Sequence, residues 1–346
     1  MSKAETPPEF EAHFAQEESI DYGEFKHHRN PELARVRRFL EWKAFQGGLW
    51  LGQTLSLEHL QQLGRQVGRV AYRLFPKERG IAQTQLQRLF PEAADMEVRV
   101  RECFEHFGQL IFEFFAIEQI ASEASERLVI ENEAVLHEAL SQERGVILLG
   151  MHFGNWELIS VYAQLSGIPM SAATTNVPDP RLNEAIRNVR ERGPLKLISR
   201  GDPQATRKLL RCFQNREVFV LAIDQDTNVP SHWVPFFDMP AKTPLSAASL
   251  ALRTGAPVVN YLVFREPHGR FRLCFESWGT FSRDPEQSDA QSQFNVSWAL
   301  NRKMETILRE HPTQWAWFHR RWRHQPNAEE LEALKHLIDH ATELEL

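Results

Sequence analysis

The stretch GMHFGNWEL, residues 150–158, sets a histidine and a glutamate five residues apart, with a glycine and an asparagine between them. An imidazole and a carboxylate are the parts of a general-base pair. The carboxylate accepts one ring N–H and leaves the other nitrogen free to take a proton. On a continuous helix, residues five apart are rotated by about 140° and do not share a face. His152 and Glu157 can therefore cooperate only if the chain turns between them, and the sequence supplies a turn. VILLG reads as a buried strand, Gly154 permits a backbone angle that other residues avoid, and Asn155 suits the N-cap of a helix starting at Trp156. His152 then lies on the loop after the strand and Glu157 in the first helical turn, in the crevice where open α/β sheets bind ligands. Backbone N–H groups at that helix start can also face a developing oxyanion. Spacing alone is equally compatible with a simpler reading, in which both side chains only satisfy a turn.

Three further groups carry chemistry or packing. Asp224, Gln225 and Asp226 close the apolar run VFVLAI, where polar residues mark either a site or a turn. In AKTPL, Thr243 is placed to cap a helix with Pro244 in its first position, a start that can also hold a phosphate. WAWFHRRWRHQP mixes Trp315, Trp317 and Trp322 with Arg320, Arg321 and Arg323. That mixture suits a lipid headgroup or phosphate surface; the alternative is packing of the tryptophans under the sheet.

These residues need a scaffold, and the hydrophobic pattern describes one. GVILLG, LKLIS, EVFVLAI, PVVNYLVF and RFRLCFE read as strands. Between and after them, WELISVYAQLSG, DPRLNEAIRNVRERG, DPQATRKLLRCFQNRE, TPLSAASLALRTGA and NVSWALNRKMETILREHP read as helices, several with Asp or Thr before Pro and Gly at the end. The alternation predicts an α/β fold: a central mixed, largely parallel sheet flanked by helices, preceded by an N-terminal helical region. In that region Leu33 to Phe75 and Glu97 to Ile120 are helical by spacing, the latter with Phe104, Phe107, Ile111, Phe114 and Phe115 as its stripe. The expected organisation is an acidic, flexible extension over 1–30, a helical membrane or acyl-chain region over 31–125, the α/β core over 126–330, and a helical tail over 331–346.

Composition excludes several classes. With 346 residues, 42% hydrophobic and 25% charged, the chain is ordinary for a globular protein. A net charge of −6 gives no global basic footprint for nucleic acid. Three widely spaced cysteines, Cys103, Cys212 and Cys274, make neither a disulfide framework nor a zinc knuckle. No signal peptide or membrane-spanning run is expected. G-x-S-x-G, P-loop, G-x-G-x-x-G and H-E-x-x-H motifs are absent, so serine-hydrolase, nucleotide and zinc-protease readings lack support.

The strings MHFGNWE, AIDQD, VPFFDMPAKT, GAPVV and QWAWFHRRWRHQP occur in the order found in the bacterial lipid A late acyltransferases, the lauroyl and myristoyl transferases. The chain resembles that family over roughly Gly47 to Pro326, including LFPKERGIAQTQLQRLFPE and Glu113 in FGQLIFEFF. The resemblance implies transfer of a fatty acyl chain from an acyl carrier protein thioester to a hydroxyl of a lipid A precursor or related glycolipid, without metal or cofactor. It implies His152 as general base and Glu157 as the group that orients it. Arg190 matches best the arginine that stabilises the oxyanion or binds phosphate, with Arg187 and Arg192 close in register. Asn155, Asp224 and Gln225 become site-supporting residues, and Thr243, Arg320 and Arg321 contacts for the substrate headgroup. A lysophospholipid, other lipid or amine acceptor, and a catalytically inactive lipid-binding paralogue, remain alternatives.

Two features depart from the family pattern. An acidic extension and a basic, aromatic helix stand where members usually begin with an apolar segment. This implies peripheral attachment to the cytoplasmic face of the inner membrane through residues near Arg35 to Trp50. Asp238 and Ser246 also replace glycines common in the family. A fatty substrate further requires an apolar tunnel beside His152, expected to be lined in part by helices from the N-terminal half.

Overall fold

The computed structural model describes residues 31–342 and 344. The expected extension over residues 1–30 lies outside them. Seven strands form one sheet in the order β1-β9-β8-β2-β5-β3-β4. They are β1 Leu128–Glu131, β2 Val146–Gly150, β3 Met170–Thr174, β4 Leu195–Ser199, β5 Val218–Ala222, β8 Val258–Glu266 and β9 Arg270–Ser277, while β6 Ser231–Phe236 and β7 Met239–Pro244 form a separate antiparallel hairpin. Every neighbouring pair in the large sheet is parallel except β8 with β9. The predicted mixed, largely parallel α/β architecture is the one found.

Residues alternate between two cores because successive side chains of a strand point to opposite faces. Ile147, Leu149, Phe219 and Leu221 face one core with helices Ala205–Gln214, Ser246–Thr254 and Asp289–Glu310. Val146, Leu148, Val218 and Val220 face the other, with helices Ile117–Ser122, Glu133–Ser141 and Ile159–Ser166. Coverage on both faces is why these strands read as continuous apolar runs rather than alternating ones.

Helices Pro31–Thr54, Leu57–Leu74, Pro76–Leu89 and Met96–Phe115 make up the predicted N-terminal helical region. Leu57–Leu74 and Met96–Phe115 touch backbone to backbone. A Cβ on Gly108 would stand 2.1 Å from the Gly64 carbonyl oxygen, and one on Gly64 2.6 Å from that of Gly108. Only glycine fits at this crossing. No helix among the described residues is long and apolar enough to cross a membrane.

Four local expectations change. The helix read as Glu97 to Ile120 ends at Phe115, and a short one follows at Ile117–Ser122. The last long helix starts earlier than NVSWALN suggests, at Asp289, where Ser288 caps it by accepting the Gln291 N–H. Thr243 is not a helix cap: Thr243 and Pro244 end β7, and the helix begins at Ser246. Phe237 and Asp238 make the two-residue turn between β6 and β7; both adopt positive φ, 50° and 59° respectively. Such a hairpin turn requires that conformation, and Asp tolerates it better than most residues.

Candidate active site

Strands β2 and β5 are parallel neighbours in register, with Gly150 opposite Ala222. Two residues beyond each strand end come His152 and Asp224, and the register brings them together. The His152 ring Nδ1 lies 2.8 Å from Asp224 Oδ1, and the His152 backbone N–H donates to Oδ2 at 2.7 Å. Trp315 Nε1 donates to the same Oδ2 at 2.7 Å. Asp224 is fully buried, whereas the His152 side chain keeps 32% of its surface exposed and lines a cavity.

An ionised carboxylate only accepts, so Nδ1 carries the ring hydrogen in the neutral imidazole and Nε2 keeps the lone pair. Burial disfavours both charges. For His152 the adjacent Asp224 more than offsets it, with a smaller contribution from Glu157, and the imidazole is more basic than usual. For Asp224 burial is likewise outweighed, by His152 and the Trp315 hydrogen bond, and the carboxyl falls from its ordinary 3.8 to about 2. An imidazole with Nε2 open and an ionised carboxylate behind it has the parts a general base requires.

Asp224, then, takes the orienting role expected of Glu157. Glu157 makes no hydrogen bond to His152. Arg190 holds it through Nε at 2.8 Å and Nη2 at 2.5 Å, and Trp156 Nε1 donates to it at 3.1 Å. Burial opposes the charge of Arg190, but Glu157 more than restores it, so the guanidinium is firmly cationic. Of the three arginines left open by register, Arg190 is thus the one joined to Glu157. Arg192 turns away to Glu118, while Arg187 reaches Ser199 and Glu191.

The turn between His152 and Glu157 is as predicted in outline and different in detail. Gly154 has φ +58°, and a Cβ there would stand 1.7 Å from the Val263 carbonyl oxygen. Asn155 precedes a short 3-10 turn, Trp156–Leu158, that leads into helix Ile159–Ser166, but its side chain caps nothing. It is buried and donates instead to Glu113 Oε2 at 2.9 Å. The Gly154 and Asn155 N–H groups donate to the carbonyls of Gln314 and Val263. Neither is available to an oxyanion, which corrects the expectation for those two donors.

The cavity encloses about 570 Å³, a volume typical of a small-molecule site. Leu197, Leu209, Phe219, Leu221 and Leu250 supply apolar wall, and His152, Glu157, Arg187, Arg190, Arg200 and Arg253 supply charge. Its walls run from Gly150 to Tyr261 in sequence; from the N-terminal half, the start of helix Ile159–Ser166 lines it through Ile159 and Ser160, while the helices of residues 31–125 do not. Gln225 also lines the cavity.

The three residues expected to meet the headgroup, Thr243, Arg320 and Arg321, lie outside this cavity wall. Arg321 is fully buried; its Nη1 donates to the Lys242 carbonyl at 2.6 Å and its Nη2 to Thr243 Oγ1 at 2.7 Å, and burial lowers its pKa to about 10. Thr243 is equally buried and also accepts from Asn301 at 3.3 Å. Both hold the hairpin against the body. Arg320 is exposed and forms no part of the cavity wall. Trp315, Trp317 and Trp322 are all buried, so the packing reading holds for the tryptophans.

Sequence reasoning missed Trp315 as a donor to Asp224 and Tyr261 as a cavity wall. The only available signals were the closeness of WAWFHRRW to the other motifs in order and an aromatic interrupting the apolar run PVVNYLVF. It also missed that Asp226 repeats the clasp of Asp224. The His324 backbone N–H donates to Asp226 Oδ2 at 3.0 Å while the ring Nδ1 lies 2.8 Å from Oδ1.

The chain matches the family model of the bacterial lipid A biosynthesis acyltransferases over residues 26–324. It is 27% identical over 305 residues to the lipid A biosynthesis lauroyltransferase of Escherichia coli (strain K12), covering 85% of this chain and 94% of that protein. It is 26% identical over 311 residues to the palmitoleoyltransferase of the same organism, covering 86% and 95%. A lipid A biosynthesis acyltransferase of Shigella flexneri is similar to the same degree. A match spanning both the helical region and the His152–Asp224 sheet, in a chain whose motifs fall where those strands end, places this protein in the bacterial lipid A biosynthesis acyltransferase family.

Proposed function

We propose that this acyltransferase moves a fatty acyl chain from an acyl carrier protein thioester to a hydroxyl of a lipid A precursor, with His152 as general base. The observation that carries the reading is the His152–Asp224 pair at the cavity wall, its Nε2 without a protein partner among the described residues. The acceptor hydroxyl gives its proton to Nε2 as its oxygen attacks the thioester carbonyl carbon. Asp224 stabilises the imidazolium without taking the proton. The tetrahedral oxyanion collapses, the carbon–sulfur bond breaks, and the imidazolium returns the proton to the departing thiolate. No covalent enzyme intermediate is needed. Arg190, cationic and fixed by Glu157, stands beside the base as the group for the oxyanion.

The apolar wall suits the acyl chain. Arg187, Arg200 and Arg253 give the same cavity a positive surface for the phosphorylated headgroup, the role first expected of Thr243, Arg320 and Arg321. Exposed Leu33, Val36, Leu40 and Trp50 lie on helix Pro31–Thr54 with Arg35 and Arg38. That combination suits peripheral attachment to the anionic cytoplasmic face of the inner membrane.

The deciding experiment presents purified protein with one radiolabelled acyl carrier protein thioester and a panel of acceptors: a lipid A precursor, a lysophospholipid and an amine-bearing lipid. Transfer to the first alone is expected. Preferential transfer to either of the others would establish the rival acceptor, and no transfer to any, with lipid still bound in a parallel binding assay, would favour the inactive, lipid-binding alternative.

A further inference from the structure

The loop that carries His152 is held from a direction the reaction itself does not use. His106 and Glu113 are seven residues apart on helix Met96–Phe115, two turns along one face, and both are buried. Glu113 accepts four hydrogen bonds: from Gln61 at 2.7 Å, from Asn155 at 2.9 Å, and from Arg265 at 2.6 and 2.7 Å. Arg265, at the end of β8, also points Nη1 at His106 Nδ1, 2.5 Å away. A guanidinium can only donate, so Nδ1 holds the lone pair and the ring hydrogen must sit on Nε2. Nε2 lies 3.3 Å from the carbonyl oxygen of Gly154.

We propose that His106 is a positioning residue of the transfer reaction, locking the His152 loop to the N-terminal helices through the Gly154 carbonyl. Burial, with the charge of Arg265, holds the His106 imidazole well below its usual basicity. Glu113 and Arg265 face it as an opposed pair, so the network adds little net charge near His152. The backbone anchors of the loop come from elsewhere, Ala316 N–H to the His152 carbonyl, Gly154 N–H to Gln314 and Asn155 N–H to Val263, and the Asn155 side chain on Glu113 is a second tie to the helix of His106. Among the described residues, His106 is what ties the Gly154 carbonyl to the helical region. Gly154 is two residues from His152, whose backbone N–H and ring both bind Asp224. A shift of the loop must therefore lengthen bonds that set the strength of the base. This inference rests on His152 being that base.

The test compares His106→Leu, His106→Gln and His106→Asn in the full-length protein with an acyl carrier protein thioester as donor. Leu has neither donor nor acceptor. Gln offers one of each at a separation like that of the imidazole nitrogens. Asn is a methylene shorter and reaches one partner only. His106→Leu is expected to lower kcat about 10–100-fold with KM for the donor unchanged. The acid limb of its kcat–pH profile should move to lower pH as the His152–Asp224 bond weakens, and His106→Gln should restore both. A loss that merely tracks the folded fraction, with the limb unmoved or no recovery in Gln, overturns the proposal. If the Leu variant does not fold, Asn takes its place; equal kcat and equal limbs for Asn and Gln are then the overturning result. A His152→Ala control separates the two readings. If it stays active, the base assignment fails; if it is inactive while every His106 variant behaves as wild type, only the His106 inference fails.

Discussion

His152 and Asp224 are joined twice, ring Nδ1 to one carboxylate oxygen and backbone N–H to the other, at 2.8 and 2.7 Å. The double contact follows from topology. Parallel β2 and β5 end in register at Gly150 and Ala222, and each chain runs two residues further before its functional side chain. The imidazole is oriented through the same strand pairing that builds the sheet.

Substitution of His152 by Ala or Asn should abolish acyl transfer while leaving the protein folded. Loss of a positioned general base costs about 10²–10⁴-fold in kcat. The check is a single-turnover radiolabel assay beside a thermal melt; a folded His152→Ala retaining more than a tenth of wild-type kcat would refute the base assignment.

Asp224→Asn keeps the shape and removes the charge. With the carboxylate gone, the imidazole loses its orienting acceptor, and kcat should fall about 10²–10⁴-fold. The base acts only when neutral. Because Asp224 raises the pKa of His152, wild-type activity should fall with decreasing pH from a higher midpoint than in the Asn variant. Stability should respond too. A carboxyl lowered from 3.8 to about 2 stabilises the fold above its unfolded value and loses that contribution as pH falls through the folded one. A raised histidine contributes below its unfolded value and loses it as pH rises through the folded one. The excess stability of wild type over Asp224→Asn should therefore be largest in mildly acidic buffer and shrink on both sides. A difference independent of pH in denaturant titrations would count against the pairing.

Glu157 and Arg190 should behave as one unit. Glu157→Gln removes the charge that fixes the guanidinium, and Arg190→Gln removes the guanidinium itself. Each should lower kcat, and the double variant should be little worse than the poorer single one. A coupling of about 0.5–3 kcal/mol is expected for residues sharing such hydrogen bonds. Additive losses in the double-mutant cycle would mean that Glu157 acts on His152 independently of Arg190.

Arg320 and Arg321 are neighbours with opposite expectations. Arg321→Met takes the guanidinium donor from the Lys242 carbonyl and one of two donors from the Thr243 hydroxyl, at about 1–3 kcal/mol for a group left unsatisfied. It should lower Tm markedly while kcat per folded molecule holds. Arg320→Ala, on the surface, should leave Tm within about a degree or two. Comparable melting with impaired acceptor KM in the Arg321 variant would restore the headgroup role that its burial argues against.

Local sequence was sufficient for the strands that end at the site and for the turn that follows the first of them. VILLG and VFVLA are apolar throughout because both faces of a central parallel strand are covered, and that signal is contained in five residues. The demand for a backbone bend between His152 and Glu157 was legible from their spacing, and Gly154 meets it with a positive φ. Short β1 and alanine-rich β3 were not legible, since their strand state comes from pairing with β9, β4 and β5 rather than from propensity. Nor could the sequence choose between carboxylates. Glu157 is five residues from His152 and Asp224 is seventy-two, yet the distant one holds the ring because strand register, not chain distance, decides which groups meet. The same limit applied to Arg321 and Thr243, whose polar side chains read as substrate contacts until packing showed them satisfied by each other. Residue type fixes which chemistry is possible; which partner each group finds is settled by the three-dimensional arrangement, because hydrogen bonds act over ångströms of space and are indifferent to separation along the chain.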